Sequence, residues 1–304
     1  MGAIISRFAP APTGFLHLGH VVNAVYVWGL TKALGGRVFL RIEDHDRQRS
    51  RPAFDAAIVE DLEWLGFVPD GEPVRQSERE PVYQGALQAL GRQGLVYACA
   101  CTRTAIGDAG TDAAAPGPEG PGPTDELRYP GTCRDRGLAD APGLGLRVRI
   151  DSSSEAFTDL RHGPQEQRPS LQCGDLLIRD RVGNWTYQFA ATVDDHAQGV
   201  TLVVRGDDLL SSTGRQLQLA RLCGRTEPPA FLHHALLMKS PAQKLSKSDG
   251  DTGVRDLRAS GWTAARVIGR AAALAGLQPD ETALHAADVA GLFAAQASGE
   301  RALL

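Results

Sequence analysis

The order of apolar runs predicts an α/β fold: a doubly wound parallel sheet with an inserted subdomain and a short C-terminal helical region. Three observations carry this. Strand-like and helix-like hydrophobic periods alternate through the first third of the chain. Val38–Ile42 is a short apolar run of the kind buried inside parallel sheets. The alternation breaks in an Ala-, Gly- and Pro-rich stretch, residues 104–126, that has no hydrophobic period.

In chain order, Ala3–Ala9 reads as a buried strand ended by a glycine turn at Gly14. Leu18, Val21, Val22, Val25, Leu30, Ala33 and Leu34 keep helical spacing until Gly35-Gly36 stops the helix. After the Val38–Ile42 strand, Pro52 opens a second helix through Leu62 and Leu65. Ser77-x-x-Glu80 has the form of a capping box, predicting a third helix with Tyr83, Leu87 and Leu90 on one face. Past the flexible insertion, a strand returns at Leu146–Ile150, and Asp180–Asn184 predicts a hairpin joining Leu176–Ile178 to Trp185–Phe189. Thr201–Arg205 is a further strand, Thr213–Leu222 a helix, and the Ala- and Leu-rich tail from Trp262 is helical. No internal repeat is visible. The expected units are residues 1–98, the first half of the core; 99–175, the insertion; 176–237, the second half; and 238–304, a loop and the helical tail.

Composition narrows the class. With 304 residues and 42% hydrophobic content the chain can bury a sizeable core. No run approaches the ~18 apolar residues of a membrane span, and Met1-Gly2-Ala3-Ile4-Ile5 lacks the features of a secretory signal, so a cytoplasmic protein is expected. Five unevenly spaced cysteines do not form a disulfide framework. A net charge of −4 argues against a general polyanion binder but not against local RNA contact. Residues 239–270 hold seven Lys/Arg against three Asp, a local excess of four positive charges.

Two segments carry chemistry. In Pro12-Thr13-Gly14-Phe15-Leu16-His17-Leu18-Gly19-His20, the two histidines stand i, i+3 where strand turns into helix, so both rings can face one phosphate group. Gly14 and Gly19 remove side-chain bulk where a ligand could approach the backbone closely. In Lys244-Leu245-Ser246-Lys247-Ser248, two lysines on a Ser-rich loop can supply cationic donors to an anionic group. The plainer alternative is a His pair that caps a helix and a solvated Lys-Ser loop.

In this order, the pair resembles the HIGH and KMSKS signatures of class I aminoacyl-tRNA synthetases. The strings Arg7-Phe8-Ala9-Pro10-Ala11-Pro12-Thr13-Gly14, Leu40-Arg41-Ile42-Glu43-Asp44-His45-Asp46-Arg47, Tyr187-Gln188-Phe189-Ala190, Val193-Asp194-Asp195-His196 and Val203-Val204-Arg205-Gly206-Asp207-Asp208-Leu209-Leu210 resemble the glutamyl-tRNA synthetase branch, over roughly residues 3 to 260. Ala11 stands where that branch has Ser, and Ala191 where charging enzymes often carry Asn. About 55 residues follow the Lys-Ser string, too few for an anticodon-gripping helical domain. That shape is similar to the truncated paralogue family that places glutamate on queuosine of tRNA(Asp).

The resemblance implies a Rossmann-like nucleotide-binding core. His17, His20, Lys244 and Lys247 would be catalytic, and His17, Gly19, His20 and Lys247 would bind ATP. Glutamate brings two carboxylates and one ammonium: Arg7 and Arg205 each offer a fork of donors, Glu43 an anion, and Tyr187 a hydroxyl. Phe8, Ala9, Pro10 and Ala11 would line the same pocket, with Asp44, Asp46 and Arg47 shaping it from behind. Asp194-Asp195-His196 would open a helix under the ATP site, in N-cap and orientation roles, with no second metal.

Cys99, Cys101 and Cys133 offer three thiolates to Zn²⁺, which takes about four ligands. The resemblance implies Tyr129 as the fourth; His162 is the conventional substitute. Such a zinc would be structural, clamping both ends of the insertion, while Cys173 and Cys223 read as core residues.

Expected partners are ATP with Mg²⁺, L-glutamate and the tRNA(Asp) anticodon stem-loop, with the chain a monomer. Three other readings stay open: a short enzyme charging the 3′ end of tRNA(Glu), an adenylate-forming ligase acting on a small amine without RNA, and a catalytically inactive RNA-binding module, against which intact His17, His20 and Lys247 argue.

Overall fold

β1 (Ile5–Phe8) and β2 (Arg37–Ile42) pair in parallel, with Ile5 opposite Arg37 and Phe8 opposite Leu40. A parallel pair needs a crossover, and α1 (Leu18–Ala33) supplies it. This helix is apolar nearly all round because it is covered twice. Val21, Val22 and Val25 share one core cluster with Phe8, Leu40 and Ile42 of the sheet and with Val267, Ile268 and Phe293 of the C-terminal region. Gly29 permits that second contact, since an added Cβ would meet the Phe293 ring at 2.3 Å. The computed structural model describes residues 3–111, 127–240, 243–244 and 253–294. Lys247 and most of the predicted flexible insertion lie outside the described residues.

α2 (Pro52–Leu65) has Pro at its start and ends on Gly66 in the left-handed region, φ 83°. β3 (Val74–Arg75) then joins β2 in parallel. α3 (Glu80–Arg92) follows, but without the predicted capping box: Arg79 is its N-cap and makes no side-chain cap bond. Ser77 is committed elsewhere. Its N–H and hydroxyl both donate to the Asp44 carboxylate, at 2.8 and 2.5 Å.

β4 (Val96–Cys99), α4 (Arg103–Thr111) and β5 (Gly145–Val148) come next, then the antiparallel hairpin of β6 (Glu155–Asp159) and β7 (Gly163–Gln167). A single turn, α5 (Pro169–Gln172), precedes β8 (Leu176–Arg179), which completes an antiparallel sheet of order β4-β5-β8. The hairpin falls within residues 99–175 yet lies in another sheet, of order β7-β6-β10-β9.

The predicted hairpin is half right. Asp180–Asn184 does turn, with Asp180 N–H bonded to Asn184 O at 2.8 Å. Only Trp185 returns to bridge Arg179, however, and Tyr187–Ala197 is a helix, α6. Trp185, Phe189 and Val193 recur at i, i+4, i+8 and pack beside Tyr83, a helical period that outweighs the β-propensity of the segment. One correction follows: Asp194-Asp195-His196 lies in the last turn of α6 and does not open a helix.

β9 (Leu202–Gly206), α7 (Thr213–Leu222) and β10 (Ala230–His234) form a parallel unit, with His233 opposite Arg205. β11 (Met238–Ser240), β12 (Gln243–Lys244), α8 (Val254–Ala259) and α9 (Ala264–Leu274) complete the labelled elements. The cations expected to leave positive charge here are partly neutralised: Arg255 and Arg258 pair with Glu60, and Arg270 with Glu281. Among the described residues, no helix is long and apolar enough to cross a membrane.

Candidate active site and metal centre

A cavity of about 570 Å³ opens beside the ends of β1, β2 and β9, and Arg7, Phe8, Ala9, Pro10, Ala11, Glu43, Tyr187 and Arg205 line it together with His17, Gly19 and His20. Backbone ties hold these strands side by side, one at the cavity ends and one at the strand starts. Glu43 N–H donates to Pro10 O at 3.0 Å, and Thr201 N–H, just before β9, donates to Ile5 O at 2.9 Å. The Lys244 backbone lies in β12, and Lys247 is outside the described residues.

At the start of α1 the two histidines hold each other. Gly19 N–H donates to His17 Nδ1 and His17 N–H to His20 Nδ1, both at 3.1 Å, with ring centroids 4.0 Å apart. Capping, the plainer alternative, is therefore present, and it also selects a tautomer. A ring whose Nδ1 accepts carries its neutral-form proton on Nε2, so each histidine presents Nε2–H as a donor. Gly19 cannot be larger here, because an added Cβ would come within 2.9 Å of His17 Cε1.

The charged residues form a buried network. Asp195 Oδ1 accepts from Arg7 Nε at 2.9 Å and from Arg41 Nη1 at 2.6 Å; Arg41 Nη2 donates to Glu43 Oε1 at 3.0 Å. Burial alone would raise the Asp195 carboxyl, but the Arg7 and Arg41 guanidiniums hold it down at about 2. Burial, then the Glu43 carboxylate, push the Tyr187 phenol above its usual value, so it remains a donor. Neighbouring Asp194 accepts from Gln76 at 2.8 Å, from Tyr83 at 2.7 Å and from Arg79. The expected orientation role thus belongs to Asp195 from the end of a helix. Asp44 binds Ser77, and Asp46 pairs with exposed Arg49.

Several lining residues were given no site role from the sequence: Asp208 and Leu209, noted only within a matching string, and Asn23 and His234, with Leu236 and Leu237 on the wall. The signal available was polarity inside apolar runs. Arg41 in Val38–Ile42 and His233-His234 after Phe231-Leu232 are fully or nearly buried, at 0%, 0% and 3% exposure, and each must be hydrogen-bonded.

Cys99, Cys101 and Cys133 place their Sγ atoms within 4.8 Å of one another. Tyr129 joins them: its hydroxyl is 3.5 Å from Cys99 Sγ and accepts Cys133 N–H at 2.7 Å. Arg147 stacks on the Tyr129 ring at 3.7 Å and donates to Cys99 Sγ at 3.4 Å, placing positive charge beside the sulfurs. Burial, then the bond to Cys133, push Cys101 up to about 11. At Cys133 burial is outweighed by the Ala100 backbone N–H and the neighbouring thiols, giving about 7. Three soft sulfurs and a phenol oxygen suit a tetrahedral ion of zinc type. His162 is elsewhere, bonded to Asp207 Oδ1 at 2.8 Å. Cys173 is buried, and burial pushes Cys223 up to about 12, as fits core thiols.

Residues 3–287 match the family model for tRNA synthetases class I (E and Q), catalytic domain. A Glutamyl-Q tRNA(Asp) synthetase of Rhodobacter capsulatus is 39% identical over 281 residues, covering 88% of this chain and 100% of that protein. One from Geobacter sulfurreducens is 44% identical over 264 residues, covering 85% and 81%. Among solved structures, a glutamate tRNA ligase from Elizabethkingia meningosepticum in complex with its amino acid superposes with a TM-score of 0.76 at 26% identity, covering 95% of this chain and 64% of that one.

Proposed function

The chain belongs to the catalytic-domain family of class I tRNA synthetases for glutamate and glutamine, and on that premise we propose that it activates glutamate with ATP and transfers it to queuosine in the anticodon of tRNA(Asp). The observation that carries this is one cavity lined by a cation, an anion and a phenol at one part (Arg7, Glu43, Tyr187) and by the paired histidines at another.

In the first step a carboxylate oxygen of glutamate attacks the α-phosphorus of ATP, and the bond to the β-phosphate oxygen breaks. Pyrophosphate leaves with Mg²⁺. The Nε2–H groups of His17 and His20 donate to the charge that grows on the α-phosphate oxygens, and Lys244 and Lys247 serve the leaving group. This is electrostatic preorganisation with no covalent enzyme intermediate. Arg7 pairs with the side-chain carboxylate, Glu43 with the ammonium, and Tyr187 donates its hydroxyl; Arg205 adds a second positive wall. In the second step a hydroxyl of the queuosine ring attacks the activated carbonyl carbon and AMP departs.

We read the two parallel sheets as halves of one doubly wound, Rossmann-like sheet in which β1 and β9 are neighbours; the Thr201–Ile5 bond at 2.9 Å supports this. Zinc held by Cys99, Cys101, Tyr129 and Cys133 would clamp both ends of the insertion between residues 101 and 129. The units 1–98, 99–175, 176–237 and 238–304, a monomeric state and cytoplasmic residence belong to the same reading.

The test is a glutamylation assay with an anticodon stem-loop bearing queuosine, the same stem-loop without it, and unmodified tRNA(Glu). Transfer to the first alone is expected, weakening steeply as salt rises. Transfer to the 3′ end of tRNA(Glu), with none to the queuosine stem-loop, would favour the short glutamyl-tRNA synthetase instead.

A further inference from the structure

Arg205 reaches the cavity from β9 with its guanidinium almost fully committed to protein acceptors. Nε donates to His233 Nε2 at 2.9 Å, Nη1 to Gln216 Oε1 at 2.6 Å, and Nη2 to Thr213 Oγ1 at 2.9 Å and Leu209 O at 3.4 Å. His233 lies opposite Arg205 on the neighbouring strand β10. Arginine has no acceptor, so His233 Nε2 must offer a lone pair and the ring proton must sit on Nδ1. Nδ1 is 2.7 Å from Asp159 Oδ2, which also accepts the His233 backbone N–H at 3.0 Å. The other Asp159 oxygen accepts the backbone N–H groups of Arg161 and His162, at 3.0 and 2.9 Å. Asp159 and His233 are 1% and 0% exposed, so no water competes for these bonds.

Asp159 comes from β6, the hairpin strand supplied by the middle of the chain, and Phe231 of β10 is its register partner. The chain of contacts therefore runs across three adjacent parallel strands, β6, β10 and β9, and ends at the cavity. We propose that Asp159 and His233 are positioning residues for substrate: the carboxylate selects the His233 tautomer, and that tautomer sets the plane of Arg205 against the carboxylate of the bound amino acid. The proposal rests on the reading of this cavity as the glutamate pocket. An arginine pre-aligned by its own protein contacts loses little freedom on binding, which is where the affinity arises.

The test uses the full chain and glutamate-dependent ATP–pyrophosphate exchange, with KM measured for each substrate. Gln can set an amide oxygen near the Nε2 position and keep the acceptor for Arg205, whereas Asn reaches only the Nδ1 position. His233→Asn and Asp159→Asn are expected to raise the glutamate KM by about tenfold or more and leave the ATP KM within about twofold, as for loss of one charge-assisted bond. His233→Gln should restore most of the glutamate affinity. If His233→Asn does not fold, Asp159→Asn against His233→Gln gives the same contrast. Equal damage to both substrates in His233→Gln and His233→Asn, or unchanged glutamate KM in His233→Asn and Asp159→Asn, would overturn the relay. Arg205→Gln separates the two ideas. If it leaves the glutamate KM unchanged, the pocket assignment falls and the relay with it; if it raises that KM while Asp159→Asn and His233→Asn do not, the relay alone falls.

Discussion

Arg7 Nε donates to Asp195 Oδ1 at 2.9 Å across 188 positions of chain. The same oxygen holds Arg41, which holds Glu43, so one largely buried carboxylate orients the pocket's cation directly and its anion through an intermediary. Residues from β1, β2 and α6 become one object only when the helix packs against the strands.

Asp195→Asn should therefore damage binding and folding together. The amide cannot balance two buried guanidiniums, and breaking such a pair costs about 3–5 kcal/mol. The pH dependence has a definite sign. The Asp195 carboxyl titrates at about 2 in the folded chain, below an unfolded value of about 3.9, so its stabilisation is complete above pH ~4 and is lost as pH falls from there toward 2. Urea midpoints between pH 2.5 and 6 should slope less steeply in the variant; identical slopes would remove Asp195 from the acid response.

Arg7→Leu should weaken glutamate far more than ATP, because a substrate carboxylate would be left unpaired in the pocket. Equal loss for both in pyrophosphate exchange would mean that Arg7 serves the nucleotide or the fold.

His20→Ala and Lys247→Ala should each slow glutamate-dependent pyrophosphate exchange by about 10²-fold or more, the size of losing one transition-state donor. For His20 the effect should fall on kcat more than on stability, although its Nδ1 also accepts the His17 N–H at 3.1 Å. Near-normal exchange in both variants would reduce the two signatures to structural roles.

Much of this was legible beforehand, for identifiable reasons. The strands and helices of the first ninety or so residues follow from local periodicity, and Arg7, His17, His20 and Glu43 stand near the ends or starts of those elements. What escaped is non-local. Ser77 looked like a cap because its neighbours spell one, but Asp44, 33 positions earlier, takes its hydroxyl. Trp185–Phe189 looked like a strand because aromatic residues favour strands, and the i, i+4, i+8 period of Trp185, Phe189 and Val193 that packs beside Tyr83 is the signal that was passed over. Asp195, Arg41, Asp159 and His233 are anchors that each hold a partner 28 to 188 positions away in the chain, as Arg205–His233 and Arg7–Asp195 illustrate.

Asp61 on α2 offers a stability test away from the site. Its side chain is fully buried, and among the described residues neither carboxylate oxygen has a donor in bonding geometry, although Arg255 Nε lies 3.3 Å away. Burial pushes it up to about 6, against the pull of Arg255. An acid raised in the folded state favours folding below its unfolded value of about 3.9, and that contribution disappears as pH rises through 4 to 6. Asp61→Asn should raise the melting temperature by about 2 °C or more at pH 7.5 and change it little at pH 4. A fall at pH 7.5 would show that the ion pair with Arg255 outweighs the burial cost.

The candidate metal centre gives the sharpest structural test, because its two candidate fourth ligands are well separated in role. Tyr129 accepts the Cys133 N–H at 2.7 Å and stands 3.5 Å from the Cys99 sulfur, while His162 spends its Nε2 on Asp207. Tyr129→Phe keeps the ring on which the Arg147 guanidinium stacks and deletes only the oxygen, so a loss of metal cannot be blamed on lost packing. Purified protein should carry about one zinc per chain, and competition with a chromophoric chelator should show affinity lowered about tenfold or more in Tyr129→Phe and further in Cys101→Ser. His162→Ala should leave the affinity unchanged. Full affinity in Tyr129→Phe together with loss in His162→Ala would transfer the fourth position to the histidine. Zinc content near zero in the unaltered protein, or full retention in Cys101→Ser, would remove the centre altogether and leave three buried or half-buried thiols packed beneath an arginine.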